Sequence, residues 1–184
     1  MLAPKGYGVR LLHMAGLDLW FTPHAVIGSV FLAVVFSALG HYVFGHGWGN
    51  AIAGGIVLTV LHWFSEFWHN IGHNTMARRT GHPMTGTRMG FWFVLGDSLY
   101  PPDEPELPAD VHIQRAWGGP MGSAVLTVIA GLLTLGGLAF PKAVWVPFVF
   151  FLDNLLVFTI GAFIPLGFND ISTILHWRKR RAAA

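Results

Sequence analysis

Four long apolar runs, nearly free of charged residues, constrain this chain more than any other feature. Lipid offers no hydrogen-bond partner to a peptide group, so a segment that enters a membrane must satisfy its own backbone, and a helix of about 20 residues crosses the hydrocarbon layer. Only 11% of the 184 residues are charged, whereas roughly a quarter are charged in soluble domains. We therefore predict an all-α, multi-pass membrane protein with about four transmembrane helices, at residues 27–44, 51–68, 121–140 and 143–164.

The basic residues predict which way these spans run. Lysine and arginine next to a span tend to stay on the cytoplasmic side. If both termini are cytoplasmic, ten of the eleven basic residues lie on that side and only Lys142 lies on the other. We expect the lipid bilayer and other transmembrane proteins as partners. We expect no nucleic-acid binding, because the sequence has no basic stripe interleaved with aromatic residues.

Three parts follow along the chain. Residues 1–50 contain an interfacial segment and the first span, with Trp20 and Phe21 expected at headgroup level. Residues 51–176 form the core. Residues 177–184 are a basic cytoplasmic tail, expected to contact anionic lipid at about 1 kcal/mol per basic residue.

Two stretches of the core carry non-helical signals. The only sizeable non-helical piece that we expect is 84–114, and within it TGTRMGFWFVL (85–95) is rich in aromatic and β-branched residues. This composition predicts a strand or hairpin at the membrane surface. The sequence Gly118-Gly119-Pro120 predicts a non-helical entry into the third span, which is tolerated at membrane depth only inside protein or beside a cavity.

A polar stripe follows the second span and its cytoplasmic extension. At about 100° per residue, Glu66, His69 and His73 each fall within roughly 40° of His62 on a helix. Ionisable residues within a span are costly and indicate function. Two histidines at i and i+4 can chelate one metal ion. Since the chain has no cysteine, nitrogen and oxygen atoms must supply the ligands.

Asp170 is the candidate for a third ligand. It lies in FIPLGFNDISTIL (163–175), just after Pro165 and Gly167 interrupt the last span, on the same predicted side as His73. Asp170 or Asn169 is equally suited to cap a tail helix beginning at Ile171. A carboxylate has two oxygens, so both roles can coexist.

Three segments together resemble the site-2 proteases, a family of intramembrane zinc metalloproteases. HNIGH at 69–73 is similar to their H-E-x-x-H helix, and GPMGS at 119–123 is similar to their G-P-x-x-N. AFIPLGFNDI at 162–171 is similar to the N-x-x-P-x-x-L-D-G segment that supplies their third zinc ligand. The resemblance covers roughly residues 51–176 and keeps the family's order.

The resemblance implies a three-helix core with a small surface hairpin between core helices one and two. It also implies a zinc ion held by His69, His73 and Asp170. Three protein ligands leave a fourth position open for water, which is the arrangement of catalytic zinc. In the family, the motif glutamate takes a proton from that water while zinc polarises the peptide carbonyl.

This chain departs from the family at the base itself. Asn70 stands where the family has glutamate, and a carboxamide cannot act as a general base, a contribution typically worth about 10²–10⁴-fold. Ser123 and Ile171 also differ from the family pattern. We expect a naturally degenerate member, a pseudoprotease that binds a metal or a partner without cutting it.

Glu66 leaves two alternatives open. Glu66-x-x-His69 has the spacing with which carboxylate and imidazole jointly hold iron or manganese in helix bundles. A site of Glu66, His69, His73 and Asp170 would suit a structural metal or a redox-active iron. Otherwise Glu66 is a displaced base, and the chain is an active intramembrane metalloprotease.

A different class of function is an accessory subunit of a photosynthetic or respiratory membrane complex. Ten histidines and eight tryptophans in so small a chain motivate it, although tryptophan is ordinarily enriched at membrane interfaces. His41 and His62 would then be the residues to bind a tetrapyrrole, either chlorophyll or haem.

Overall fold

The computed structural model describes residues 8–183, so Lys5 and Ala184, which enter the topology and tail predictions, lie outside the described residues. The described part is largely helical with one small sheet. Its elements in order are β1 (Val9–Met14), β2 (Leu17–Phe21), α1 (Pro23–Tyr42), α2 (Trp48–Arg79), β3 (Gly86–Trp92), β4 (Leu95–Leu99), α3 (Ala109–Gly137), α4 (Trp145–Asp153), a π-helix (Asn154–Ile160), a 3₁₀ turn (Gly161–Phe163) and α5 (Asp170–Ala183).

Four helical stretches are long and apolar enough to cross a membrane. They are α1, α2, α3 and the continuous helix over Trp145–Phe163, and they confirm the prediction of a four-span integral membrane protein. At about 1.5 Å per residue, α2 is about 48 Å long, against about 30 Å for a hydrocarbon layer. Its polar last third therefore continues beyond the apolar span.

The sheet is larger than the predicted hairpin. β3 and β4 form the antiparallel hairpin expected from residues 85–95, and β2 adds to β3 in parallel. β1 completes the order β1-β2-β3-β4. The expectation that 84–114 is the only sizeable non-helical piece is wrong, because the interfacial segment forms β1 and β2, including Trp20 and Phe21.

The β1–β2 turn explains why this hairpin was missed. Ala15 and Gly16 both have positive φ, at 54° and 75°, as a two-residue type I′ turn requires. Glycine adopts this conformation readily, but alanine is seldom found there. The sequence Ala-Gly therefore lacks the Asn-Gly or Asp-Gly signal that usually marks such a turn.

The third span begins differently from the prediction. α3 runs without interruption from Ala109 to Gly137, with Pro120 inside it, so the non-helical entry at 118–120 is wrong. The glycines serve close packing instead. A Cβ on Gly118 would lie 2.3 Å from the carbonyl oxygen of Gly72, and one on Gly72 would lie 2.2 Å from that of Gly118. Small residues permit such backbone contact between helices in lipid.

We expect Gly72→Ala to destabilise the protein, because its methyl group would collide with the α3 backbone. Overpacking of this kind costs about 1–3 kcal/mol. Gly136→Ala on α3 is the matched control, since a Cβ there meets no atom within 4 Å. Thermal unfolding in detergent, followed by circular dichroism, should show a lower midpoint for Gly72→Ala alone. Equal midpoints for the two variants would contradict the contact.

Candidate metal centre

The predicted polar face of α2 is buried in the protein. His62, Glu66 and His73 are 2%, 4% and 7% exposed, and His69 is slightly more accessible. This face packs against α3, the β3–β4 hairpin and the helix of the fourth span. The costly ionisable groups are thereby kept away from lipid.

Three side chains converge on one point. The Nε2 atoms of His69 and His73 lie 3.0 Å apart. Asp170 places Oδ2 3.1 Å from His69 Nε2 and Oδ1 3.2 Å from His73 Nε2. Zinc–ligand distances of about 2.0–2.1 Å separate neighbouring tetrahedral donors by about 3.3 Å. The triangle therefore fits one small ion. Among residues 8–183, these three form the group of donors close enough to share a metal.

Each imidazole has a hydrogen-bond partner at Nδ1, on the side of the ring opposite the triangle. His73 Nδ1 lies 2.8 Å from the carbonyl oxygen of Arg115, and His69 Nδ1 lies 2.8 Å from Ser123 Oγ. A carbonyl only accepts, so His73 carries its proton on Nδ1 and directs the lone pair of Nε2 into the triangle. Partners of this kind fix the tautomer and ring orientation of metal ligands. Ser123, a departure from the family motif, thus has a defined contact.

Asp170 is the first residue of α5 and follows directly after the turn at 164–169. The Asn169 side chain donates to the carbonyl of Ile164 and accepts from the Ser172 hydroxyl, so it organises this turn. The Asp170 carboxylate is left to face the histidines. Burial alone would raise the pKa of Asp170, but the His73 and His69 imidazoles hold that pKa below its ordinary value.

The Glu66 carboxylate contacts β4 and Asn70. Its Oε1 accepts from Asn70 Nδ2 at 3.0 Å and lies against Gly96, where an added Cβ would approach within 2.9 Å. It does not belong to the group of donors that can share one ion. The described side chains therefore do not form the predicted two-histidine, two-carboxylate arrangement.

Asn70 is held by three hydrogen bonds. Its Nδ2 donates to the Glu66 carboxylate and to the Glu66 carbonyl, and its Oδ1 accepts from Ser98 Oγ at 2.9 Å. The residue is 2% exposed. Residue 70 is thus a neutral amide whose orientation is fixed from both sides.

A cavity of about 610 Å³ opens beside the triangle. The three candidate ligands, Glu66 and Asn70 all border it. Its apolar wall comes from the β3–β4 hairpin and from the end of the fourth span, and includes Trp92, Leu95, Tyr100, Phe158 and Phe168. Such a volume is typical of binding sites for small molecules or side chains.

Arg115, which the sequence suggested only as a topology signal, supports this cavity. Its guanidinium pairs with both carboxylate oxygens of Glu104 and lies 4.2 Å from the centre of the Tyr100 ring. The hydrogen bonds from Arg115 hold the pKa of Glu104 below its usual range. Burial raises the pKa of Tyr100 to about 12. No sequence motif marked this cluster.

The structure does not support His62 as a tetrapyrrole ligand. Its Nδ1 contacts Asp153 and its Nε2 lies 2.8 Å from the carbonyl of Val94, so neither nitrogen is available to an iron or magnesium ion. His41 has Nδ1 2.8 Å from the His46 carbonyl. Asp153 was missed, although a carboxylate within a predicted span is a signal by itself.

One solved structure shares this architecture. It is a site-2 protease from Methanocaldococcus jannaschii, with a TM-score of 0.60 over 92% of this chain and 70% of that chain, at 17% sequence identity. This chain has a site-2-protease-like fold. No family model and no curated protein matches its sequence. The fold that the three motifs implied is thus confirmed.

We expect Ser123→Ala to weaken metal binding, because the His69 imidazole would lose the partner that orients it. Removing such a partner typically costs about 10–100-fold in metal affinity. Ser37→Ala is the control, since the Ser37 hydroxyl bonds only the carbonyl of Ala33 on its own helix. Competition with a chromophoric chelator gives both affinities. Equal zinc affinity in the two variants would contradict this role of Ser123.

Proposed function

We propose that this protein is a membrane-embedded pseudoprotease of the site-2 type, which holds one metal ion with His69, His73 and Asp170 and does not cut peptide bonds. The supporting observation is a compact ligand triangle beside a base position occupied by Asn70. A carboxamide is too weakly basic to take a proton from water, because its nitrogen lone pair is delocalised into the carbonyl, and both its ends are hydrogen-bonded here.

Zinc is our choice of metal. Two histidines and one carboxylate are a common zinc donor set that leaves a position open, and the fold is that of a zinc protease family. The same donors suit iron or manganese. A bound ion would supply Lewis-acid polarisation of an oxygen ligand from the cavity side. The chain would orient that ligand without removing a proton from it.

We propose a transmembrane protein as the partner and a cytoplasmic location for both termini. The cavity borders the apolar spans and has a largely aromatic wall, which suits a side chain or short segment of another membrane protein. Ten basic residues on one predicted side support the orientation. Binding without cleavage would make this chain a subunit or regulator of its partner.

A second candidate is an active metalloprotease with Glu66 as its base. The observation that favours it is the carboxylate of Glu66 at the edge of the same cavity, oriented by Asn70. A base held in place by a third group is usual in hydrolytic sites. Cleavage of a transmembrane peptide by the purified protein, abolished by Glu66→Gln, would favour this function over the pseudoprotease.

We expect one metal ion per chain in purified protein reconstituted with zinc. His73→Ala should reduce this to a small fraction, because two donors remain where three are needed. His176→Ala is the control, since His176 is exposed on α5. Elemental analysis after removal of free metal measures the ratio. Metal-free native protein, or an equal metal content in the two variants, would overturn the proposed site.

Exchanging the carboxylate of Glu66 and the amide of Asn70 tests whether a carboxylate at residue 70 allows peptide cleavage. Asn70→Glu alone would place a second buried carboxylate beside Glu66, where only 3.0 Å separates the present side chains. The double variant Glu66→Gln/Asn70→Glu keeps one of each group. We expect the double variant to gain cleavage of a transmembrane peptide, in the range of about 10²–10⁴-fold that general-base catalysis contributes. Adding Asp170→Asn should abolish that gain, as a gel-based cleavage assay would show.

A further inference from the structure

His62 is a buried histidine that the proposed function does not use. It lies on α2 two turns before His69 and is 2% exposed. Although it belongs to the same polar face, it is not part of the ligand triangle. An ionisable side chain at this depth needs partners that justify its burial.

Both ring nitrogens of His62 have such partners. Nε2 lies 2.8 Å from the carbonyl oxygen of Val94, so it must carry a proton. Nδ1 lies 3.1 and 3.2 Å from the two carboxylate oxygens of Asp153. One proton is therefore shared between ring and carboxylate, as an ion pair or as a neutral ring with a carboxylic acid. The pair has no net charge in either form, which makes its burial tolerable.

The first partner belongs to the hairpin that covers the cavity. Val94 lies in the turn between β3 and β4, next to Phe93, whose φ is +60°. β4 continues directly from this turn to Gly96 and Ser98, which contact Glu66 and Asn70. The bond to His62 thus holds the covering hairpin at its tip.

The second partner belongs to the segment that carries Asp170. Asp153 is the last residue of α4, and the π-helix begins immediately after it. π-helical segments are rare and are often found at functional sites. Phe158 within it lies 5.1 Å from the His62 ring and 6.2 Å from the His69 ring, measured between centroids. The same segment then leads through the turn at 164–169 to Asp170.

We propose that His62 is a positioning residue that holds two separate walls of the cavity, the β3–β4 hairpin and segment 153–170, around the metal centre. Its single imidazole connects the hairpin, which covers the site, to the segment that supplies Asp170 as the third ligand. Loss of His62 releases the hairpin tip and lets Asp170 move away from His69 and His73. The inference rests on the proposed metal site, whereas the holding of the two walls can be measured without metal.

The test uses the full chain in lipid nanodiscs with Co²⁺ as the metal. Because the chain has no cysteine, Phe93→Cys and His176→Cys introduce two spin labels without background, one on the hairpin and one on α5. Measurements of the distance between the two electron spins give a distance distribution between the hairpin and α5. The visible absorption of Co²⁺ and its dissociation constant report the ligand geometry.

His62→Phe should broaden the distance distribution, change the Co²⁺ absorption band and weaken Co²⁺ binding by about tenfold or more, the size of effect seen when ligand-supporting residues are lost. His41→Phe is the matched control on α1 and should change none of these. A native distance distribution and a native Co²⁺ band in His62→Phe would overturn the proposal. A role in stability alone would lower the unfolding temperature and leave both signals native.

Two variants of Asp153 keep the proposal testable if His62→Phe does not fold. Asp153→Asn should resemble the native protein, because a neutral His62 still donates to Val94 and accepts from the asparagine amide. Asp153→Ala should broaden the distances and weaken Co²⁺ binding. Equal distance distributions and equal Co²⁺ affinities in the two variants would overturn the proposal. If the native chain binds no Co²⁺, the proposed metal function fails, and the distances still decide whether His62 holds the walls.

Discussion

Helices α2 and α3 touch backbone to backbone at Gly72 and Gly118, and the site depends on this contact. At the next residue of α3, a Cβ on Gly119 would lie 2.3 Å from Nε2 of both His69 and His73. The glycines therefore leave room for two imidazoles between the helices. The same approach brings the Arg115 carbonyl to His73 and the Ser123 hydroxyl to His69. In lipid, where apolar surfaces gain little from meeting, such close packing is what holds helices together.

The polar groups of α2 form a series of paired contacts inside the protein. His62 contacts Asp153, and Glu66 accepts a hydrogen bond from Asn70. His69 and His73 both contact Asp170. Each pair joins α2 to itself or to a different part of the chain. Burying these groups is costly unless their partners are in place, so the same contacts that form the centre also fix how hairpin and fourth span lie.

Asn70 is joined to a carboxylate one turn earlier on α2. Glu66 provides a carboxylate that Asn70 binds, and Ser98 on β4 completes the group. An amide suits this place because it donates to one neighbour and accepts from the other, whereas a second carboxylate would accept from both. The Glu66–Asn70 contact on α2 and the attachment of the hairpin through Ser98 are therefore parts of one arrangement.

The four spans, the shared face of His62, Glu66, His69 and His73, and the hairpin near residues 85–95 are predictable from the sequence, because hydropathy and helical period are local properties. The contact of Glu66 with β4, and the support of the histidines by Ser123 and the Arg115 carbonyl, depend on the tertiary fold. It also paired His62 with Asp153, 91 residues away, and β2 with β3. These choices follow from packing between distant segments, which no local pattern encodes.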